Sequence, residues 1–423
     1  MDIRFQNARI LTMEEPLQLL PGELWVRDGK IEYAGPAKTP DKPFDRTIDA
    51  AGDILMPGFK NAHTHSPMTF LRSLADDLPL DKWLNEQVFP MEAKLTPADI
   101  GPLTRLAILE YLTSGITAAF DMYMFPKEVA ETCAEAGFRV VLCGSVNDFS
   151  SSPEELGRDH ETYNHFGPLV SHQLGFHAEY TTSEGRLREI AALSQKFGAP
   201  VYTHNAETKS EVEGCLERHG MTPTQYFEKL HLLDFGGGFF HGVYLTPDDI
   251  ELCAKRHIAV VANPASNAKL ASGIAPLTEM LASGVTLGLG TDGPASNNCL
   301  DMFREMFLAT ALQKLRLSDA AALDALDVLR MATVGSAQAM GLSDCARLTP
   351  GSEADVVRLS MHAPNMQPEN HILKNIVYSG SKLNVRMTMV RGKILYEDGE
   401  FFIGADPEEV YAQANAIVAQ KRS

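Results

Sequence analysis

The middle of the chain repeats one pattern of hydrophobic and polar positions. An amphipathic stretch ends at a glycine or a polar turn, and a short β-branched run follows. Such a run is typical of a strand buried on both faces, and the amphipathic stretch is typical of a helix packed on it. Eight runs are candidate strands, at residues 54–65, 116–121, 138–143, 171–177, 201–204, 237–241, 258–262 and 285–290.

The two ends of the chain follow another pattern, in which short apolar runs alternate with turn residues. We predict strands near residues 3–11, 22–26, 30–34 and 53–56, and again near 354–359, 375–378, 385–390 and 393–396. Runs of this length between Gly and Pro punctuation are typical of a β domain. We therefore expect both ends to belong to one small β domain.

Helix starts can be recognised within the middle region. Thr96-Pro97-Ala98-Asp99 and Thr246-Pro247-Asp248-Asp249 each place a hydroxyl at the N-cap, proline at N1 and an acid at N3. This combination predicts that helices begin at 97 and 247.

Together these patterns predict an α/β fold: a (β/α)8 TIM barrel over residues 58–345, beside a small β-sandwich built from residues 1–57 and 346–423. An open, doubly wound sheet is the alternative arrangement of repeated β-α units. The barrel is favoured because no G-x-G-x-x-G follows a predicted strand. In a barrel, chemistry belongs at the C-terminal ends of the strands.

Composition narrows the choice of partners and compartment. The 423 residues carry 37 Lys and Arg against 55 Asp and Glu, a net charge of −18 that disfavours nucleic acid and anionic membranes. The six cysteines include no C-x-x-C pair, which is typical of free thiols in a reducing compartment. The sequence contains no apolar block of the kind that predicts export or a membrane span. We therefore expect a cytoplasmic protein.

Histidines lie where a barrel places its active site. Five of the 13 histidines end predicted strands, and Asp292 ends the eighth; the histidines are His63, His65, His177, His204 and His241. An isolated H-x-H pair needs no metal. His63 and His65, however, project to the same side of a strand, and together with His204 and Asp292 they favour a metal site. Three imidazoles and a carboxylate suit one Zn²⁺ per chain, with Fe²⁺ or Mn²⁺ as alternatives.

Glu207 follows His204 by three residues. It is either a solvated acid in the loop after strand 5 or a carboxyl above the metal, where burial would raise its pKa towards use as a general acid.

These motifs resemble a known superfamily. Residues 57–65 (PGFKNAHTH), the H-x-x-E at 204–207, His241 and the GTDG at 290–293 are similar to the metal-dependent amidohydrolases. The stretch NPASNAKLASGIAP at 263–276 resembles more specifically the 5-methylthioadenosine/S-adenosylhomocysteine deaminases and their relatives, the s-triazine chlorohydrolases and guanine-type deaminases.

The resemblance implies roles for particular residues. The metal ligands would be His63, His65, His204 and Asp292. Glu207 would be the general acid/base, His241 would orient the attacking water, and Asp292 would also accept a proton. Glu92 and His177 would hold a ribose. Trp83 would cover the base, or else is an ordinary helix-face residue.

One departure from the family concerns the tail of the substrate. Members that accept homocysteine carry an arginine after strand 3, whereas residues 142–148 here read LCGSVND, with Gly144 and no cation. Arg158 is the candidate replacement. We expect hydrolytic deamination of an adenosine-type nucleoside (methylthioadenosine, S-adenosylhomocysteine, 5′-deoxyadenosine or adenosine). The alternatives are an amidohydrolase of another heterocycle (a triazine, guanine or pterin) and an inactive scaffold, and a homo-oligomer is left open.

Overall fold

A computed structural model describes residues 1–74, 76–78 and 82–422. Its centre is a sheet of eight parallel strands in chain order. The strands are β6 (Phe59–Thr64), β7 (Ile116–Met122), β8 (Arg139–Cys143), β9 (Val170–Gly175), β10 (Val201–Asn205), β11 (Gly237–His241), β12 (Ile258–Ala262) and β13 (Leu287–Leu289). Each of the eight predicted runs overlaps one of these strands.

The first and last strands of this sheet meet each other. The Asp292 amide donates to the carbonyl of His63 at 3.0 Å. The Asn61 side chain accepts from the Thr291 amide at 2.8 Å and donates to its hydroxyl at 2.7 Å. These bonds bring the end of β13 against β6, so the strands surround a barrel and the predicted (β/α)8 class is confirmed.

The predicted strand at 54–65 is two strands, and in this respect the prediction was wrong. Ile54–Pro57 pairs outside the barrel, and Phe59–Thr64 begins it. Between them lies Gly58, at which an added Cβ would come within 2.1 Å of the Thr117 side chain. Glycine is therefore required where the chain passes from one sheet to the other.

The chain ends form a separate mixed sheet. Its N-terminal strands are β1 (Ile3–Leu11), β2 (Leu19–Arg27), β3 (Lys30–Gly35), β4 (Arg46–Asp49) and β5 (Ile54–Pro57), and its C-terminal strands are β14 (Val356–Leu359), β15 (Val385–Val390), β16 (Lys393–Glu397) and β17 (Glu400–Phe401). The two halves join where β5 pairs with β14. The exact domain boundaries at 57/58 and 345/346 stay predictions.

The segment predicted as a strand at 375–378 is part of a helix, Ile372–Tyr378. Its buried residues Leu373, Ile376 and Val377 follow helical rather than alternating spacing. A second C-terminal helix, Pro407–Arg422, is not in the sequence prediction; its Lys421 forms an ion pair with Asp99 at 2.7 Å. The C-terminal segment therefore contributes helices as well as strands.

Helices connect the barrel strands and follow the last of them. The longer ones are Pro97–Thr113, Pro126–Ala136, Pro153–Tyr163, Glu184–Phe197, Lys209–His219, Pro247–Arg256 and Met302–Leu317. Shorter ones are Phe89–Glu92, Pro223–Lys229, Pro264–Lys269, Leu277–Ala282, Ala325–Arg330 and Ser336–Ala339, with π-helical turns at Trp83–Val88 and Met331–Gly335. The predicted cap at Thr246 is confirmed, because its hydroxyl accepts the Asp249 amide at 3.2 Å. No helix in the described part of the chain has the length and apolar content of a membrane span.

Apolar side chains fill the barrel below the site. Phe120, Tyr202, Phe240 and Val261 are buried together inside it. The barrel interior is therefore a packed core, and a ligand site is expected where the strands end.

Candidate active site

A cavity of about 710 Å³ opens at the C-terminal ends of the barrel strands. This volume lies in the range of small-molecule sites. Of the predicted site residues, the lining includes His65, Trp83, Glu92, His177, His204, Glu207, His241 and Asp292. His63 lies beneath them and is fully buried.

The predicted metal ligands converge at the floor of this cavity. Potential ligand atoms of His63, His65 and Asp292 all lie within 4.8 Å of one another, and so do those of His63, His204 and His241. The Asp292 carboxylate is 3.2 Å from His65 Nε2 and 3.6 Å from His63 Nε2. His63 is the residue common to both groups.

Backbone carbonyls orient two of these imidazoles. His65 Nδ1 lies 2.5 Å from the carbonyl of Met122, and His204 Nδ1 lies 2.8 Å from that of His177. A carbonyl can only accept, so each Nδ1 carries a proton and each Nε2 is the nitrogen left to face the cluster. This is the arrangement found around metal-ligating histidines.

The surroundings of His63 test whether a metal fits. Both of its ring nitrogens are buried and have no hydrogen-bond partner among the described residues. Burial lowers the pKa of His63 well below its ordinary value, and the same holds for His204, so these imidazoles are neutral. Buried polar atoms are rarely left without a partner. A cation shared with Asp292 would satisfy His63, and the donor set fits a zinc-like ion.

Two serines hold Asp292 in place. The hydroxyls of Ser266 and Ser296 donate to one carboxylate oxygen at 2.5 and 2.8 Å, and the Gly293 amide donates to the other at 2.7 Å. The Asp292 backbone has φ 58°, a left-handed conformation that is unfavourable for a residue other than glycine. Strain of this kind is concentrated at functional sites.

Glu207 lies beside this cluster rather than in solvent. Burial raises the pKa of its carboxyl, and the nearby Asp292 raises it further, although His241 opposes the shift. Its oxygens lie 3.8 Å from His241 Nε2 and 3.3 Å from the Ser272 hydroxyl. Of the two sequence interpretations, the buried position favours a general acid over a solvated loop residue.

The loop that carries Glu207 is held by the buried carboxylate of Glu211. This carboxylate accepts the backbone amides of Ala206 and Glu207 at 2.9 and 2.8 Å. Its own helix, Lys209–His219, begins with a capping box at Thr208. The backbone position of Glu207 is thus set before any ligand binds.

His241 is oriented by Asn267. His241 Nδ1 lies 2.7 Å from Asn267 Oδ1, and both residues are buried. Because an amide oxygen accepts, the proton lies on Nδ1 and Nε2 faces the cavity and Glu207. His241 also has φ 74°, in the left-handed region.

Glu92, Trp83 and His177 line the cavity above the metal ligands. Glu92 is buried and accepts the Tyr123 hydroxyl at 2.7 Å, and burial raises its pKa to about 6. His177 Nδ1 contacts the Thr181 hydroxyl at 2.9 Å, which leaves Nε2 for a ligand. Trp83 is 5% exposed, and its indole N–H has no hydrogen-bond partner among the described residues.

Arg158 is the predicted site residue that the structure does not bring to the cavity. Its side chain is 64% exposed on the helix Pro153–Tyr163 and lies 4.0 Å from Glu154 and 3.8 Å from Glu155. The described lining does not include it. Glutamates one turn away on the same helix hold the guanidinium near the surface instead.

Sequence reasoning assigned no role to several residues that complete the site. They are Ser266, Asn267 and Ser296, which orient Asp292 and His241, together with Tyr123 and Glu211. Ser266 and Asn267 lie within the stretch 263–276, whose family resemblance was visible, so that resemblance was an available signal for these two residues. For Tyr123 the sequence carries no comparable signal.

Comparison with known proteins agrees with this geometry. Residues 54–395 match the amidohydrolase family. The chain belongs to the amidohydrolase family. This match covers the whole barrel and continues into the C-terminal strands.

Three amidohydrolase relatives resemble the chain over almost its full length. A 5-methylthioadenosine/S-adenosylhomocysteine deaminase of Pelotomaculum thermopropionicum is 37% identical, over 98% of this chain and 97% of the relative. A 5′-deoxyadenosine deaminase of Methanothermobacter thermautotrophicus is 38% identical, over 94% of each. The crystal structure of an adenosine deaminase from Xanthomonas campestris with bound zinc has a TM-score of 0.93 at 32% identity, covering 100% of this chain and 98% of that one.

Replacing His63 tests the metal site directly. We expect His63→Gln to lower metal affinity more than about 100-fold, since even residues that only orient ligands contribute 10- to 100-fold. Metal content after dialysis, measured by inductively coupled plasma mass spectrometry, checks this. His231→Gln, at a side chain 72% exposed, is the control. Equal metal content in both variants would contradict a site at His63.

Proposed function

We propose that this amidohydrolase deaminates an adenosine-type nucleoside hydrolytically, giving the inosine-type product and ammonia. One observation carries the proposal. A single cavity has the His/Asp cluster with Glu207 at its floor and the buried Glu92 and His177 above them. The His/Asp cluster with Glu207 suits attack on a purine ring, and Glu92 with His177 suits binding of a sugar. The names of the relatives support the same substrate class.

The residues that would hold a metal are His63, His65, His204 and Asp292. We propose one Zn²⁺ per chain, as the zinc-bound relative supports. When bound, such an ion lowers the pKa of water and so supplies a nucleophile near neutral pH.

The chain's own groups move the protons. The protonated Glu207 carboxyl donates to N1 of the purine, which makes C6 more electrophilic. Asp292 and the Nε2 of His241 accept the proton of the attacking water. Return of that proton to the exocyclic nitrogen expels ammonia, and the remaining hydroxyl proton passes to the Glu207 carboxylate as the C6 carbonyl forms.

The upper cavity orients the substrate. The Glu92 carboxylate accepts from ribose hydroxyls, and His177 Nε2 provides a further contact, while Trp83 covers the base. Orientation of this kind can lower the activation barrier of a reaction by several kcal/mol, and by about 7 kcal/mol or more in favourable cases.

We also propose that the enzyme works in the cytoplasm. Its six cysteines are all unpaired in the structure. Unpaired, mostly buried thiols are typical of a reducing compartment.

Purified, zinc-loaded protein tests the proposal with adenosine, 5′-deoxyadenosine and methylthioadenosine. We expect ammonia release, and a product by mass spectrometry in which oxygen replaces the amino nitrogen. Guanine, a pterin and a triazine form the second arm. Absence of ammonia from every nucleoside would overturn the proposal, and turnover of one of the second group would favour the alternative.

A further inference from the structure

The mouth of the cavity differs in character from its floor. The residues at the floor are buried acids and histidines, whereas three exposed aromatic side chains line the opening: Phe89, Phe149 and Tyr180. Their exposed fractions are 40%, 88% and 44%. We call these three residues the aromatic rim. Aromatic rings exposed together beside a ligand cavity are typical of a binding surface.

The loop that presents Phe149 is well ordered by hydrogen bonds. Asn147 Oδ1 accepts the amides of Phe149 and Ser150 at 2.8 and 2.9 Å. The neighbouring Asp148 carboxylate accepts the amide and hydroxyl of Ser183, at 3.1 and 2.8 Å. These bonds fix the backbone of the loop at Phe149, so little backbone entropy is lost when a ligand covers its ring.

Phe149 and Tyr180 belong to connected loops. The Asp148 amide donates to the Thr181 carbonyl at 2.9 Å, and the His177 amide donates to that of Val146 at 2.9 Å. His177 is the proposed ribose contact, so two rim residues are positioned relative to the sugar by these backbone bonds.

The described lining of this cavity contains no Lys or Arg, whereas the acids Glu92, Glu207 and Asp292 are part of it. The nearby Arg186 already interacts with Asp148 at 3.4 Å and donates to the carbonyls of Asn147 and Ser151 at 2.8 and 2.5 Å. Arg158 is paired on its own helix. A 5′ substituent with a carboxylate would thus lose its hydration without gaining a charged partner. An apolar substituent would instead cover the aromatic rim.

We propose that Phe149, with Tyr180 and Phe89, receives the 5′ substituent of the nucleoside and selects an uncharged, apolar one such as a methylthio group. This inference rests on the proposed function. With the purine at the floor and the ribose at Glu92 and His177, the 5′ carbon is directed towards the opening. Phe149 is the specificity-determining residue because it is the most exposed ring of the aromatic rim.

The test compares kcat/KM for methylthioadenosine, adenosine and S-adenosylhomocysteine in Phe149→Ala and Phe149→Arg. We expect Phe149→Ala to lower the methylthioadenosine-to-adenosine ratio of kcat/KM about tenfold. Phe149→Arg should raise S-adenosylhomocysteine relative to methylthioadenosine, since a guanidinium pairs with a carboxylate. Phe307→Ala, an exposed aromatic on the helix Met302–Leu317 outside the cavity, is the matched control.

The possible outcomes separate this inference from the proposed function. An unchanged ratio in Phe149→Ala, or an equal loss for both nucleosides, would overturn the inference while deamination itself stands. Failure of the unsubstituted enzyme to deaminate any nucleoside would instead overturn the proposed function. Thermal unfolding should be unchanged in both variants, because the Phe149 side chain is almost entirely exposed.

Discussion

Replacing Glu207 by glutamine should lower kcat at least about 100-fold, and by as much as about 10⁴-fold. The amide fills the same space and can still accept from Ser272, but it has no acidic proton to deliver to the purine ring. Burial raises the pKa of the native carboxyl, which favours its protonated form. Steady-state ammonia release, with metal content measured on the same sample, gives the result.

The matched control for this substitution is Glu213→Gln on the following helix. Glu213 is 56% exposed and, among the described residues, pairs with Lys209 at 3.0 Å. We expect it to keep full activity. Should Glu207→Gln retain more than about a tenth of the native kcat with normal metal content, Glu207 is not the general acid.

The second large effect is on stability, at the end of the barrel opposite the active site. Lys60 lies on β6, is fully buried, and contacts Asp355 at 3.2 Å and the Thr117 hydroxyl at 2.6 Å. Arg139 also pairs with Asp355, at 3.0 Å. Burial raises the pKa of Asp355, but Arg139 and Lys60 outweigh it and bring the value to about 2. These ion pairs join the barrel to the terminal sheet.

We expect Lys60→Met to lower the free energy of unfolding by about 3 kcal/mol, because it leaves a buried carboxylate with less compensation. Lys127→Met is the control. Its surface pair with Glu131, at 3.9 Å, should contribute less than about 1 kcal/mol. Urea unfolding at neutral pH compares the two variants, and equal midpoints would show that the buried pair adds nothing.

The stabilisation by Asp355 should also depend on pH. Since the pKa of Asp355 is depressed in the folded protein, its contribution to the free energy of unfolding is present above about pH 4 and is lost as the pH falls towards 2.

Local sequence patterns predicted much of the barrel because their causes are local. A buried parallel strand needs a short β-branched run, and a helix start needs a capping residue, as at Thr246. The same logic failed at 375–378, where only a few apolar residues are available and both periodicities fit. It also ran the first barrel strand back to residue 54, although the terminal strand predicted at 53–56 and the boundary predicted at 57/58 already separate β5 from β6.

Part of the candidate site could likewise be predicted from local sequence patterns, and part could not. His63 and His65 had to share a face because side chains alternate along a strand, and the strand-end positions of His204, His241 and Asp292 followed from the repeated pattern. Arg158 shows the limit of this reasoning. The sequence placed it in the next loop, while its helix turns it towards Glu154 and Glu155.

The sequence by itself determined the fold class, the residues at the strand ends and therefore the candidate ligands, because each depends on spacing within a few residues. Only the tertiary structure decided which nitrogen of each histidine faces the cavity, since those tautomers depend on carbonyls and an amide from other strands and loops. It also decided that Lys60 pairs with Asp355, 295 residues away, and that Phe149 stands at the cavity mouth. Long-range contacts and burial arise only when distant segments pack together, and no local pattern contains them.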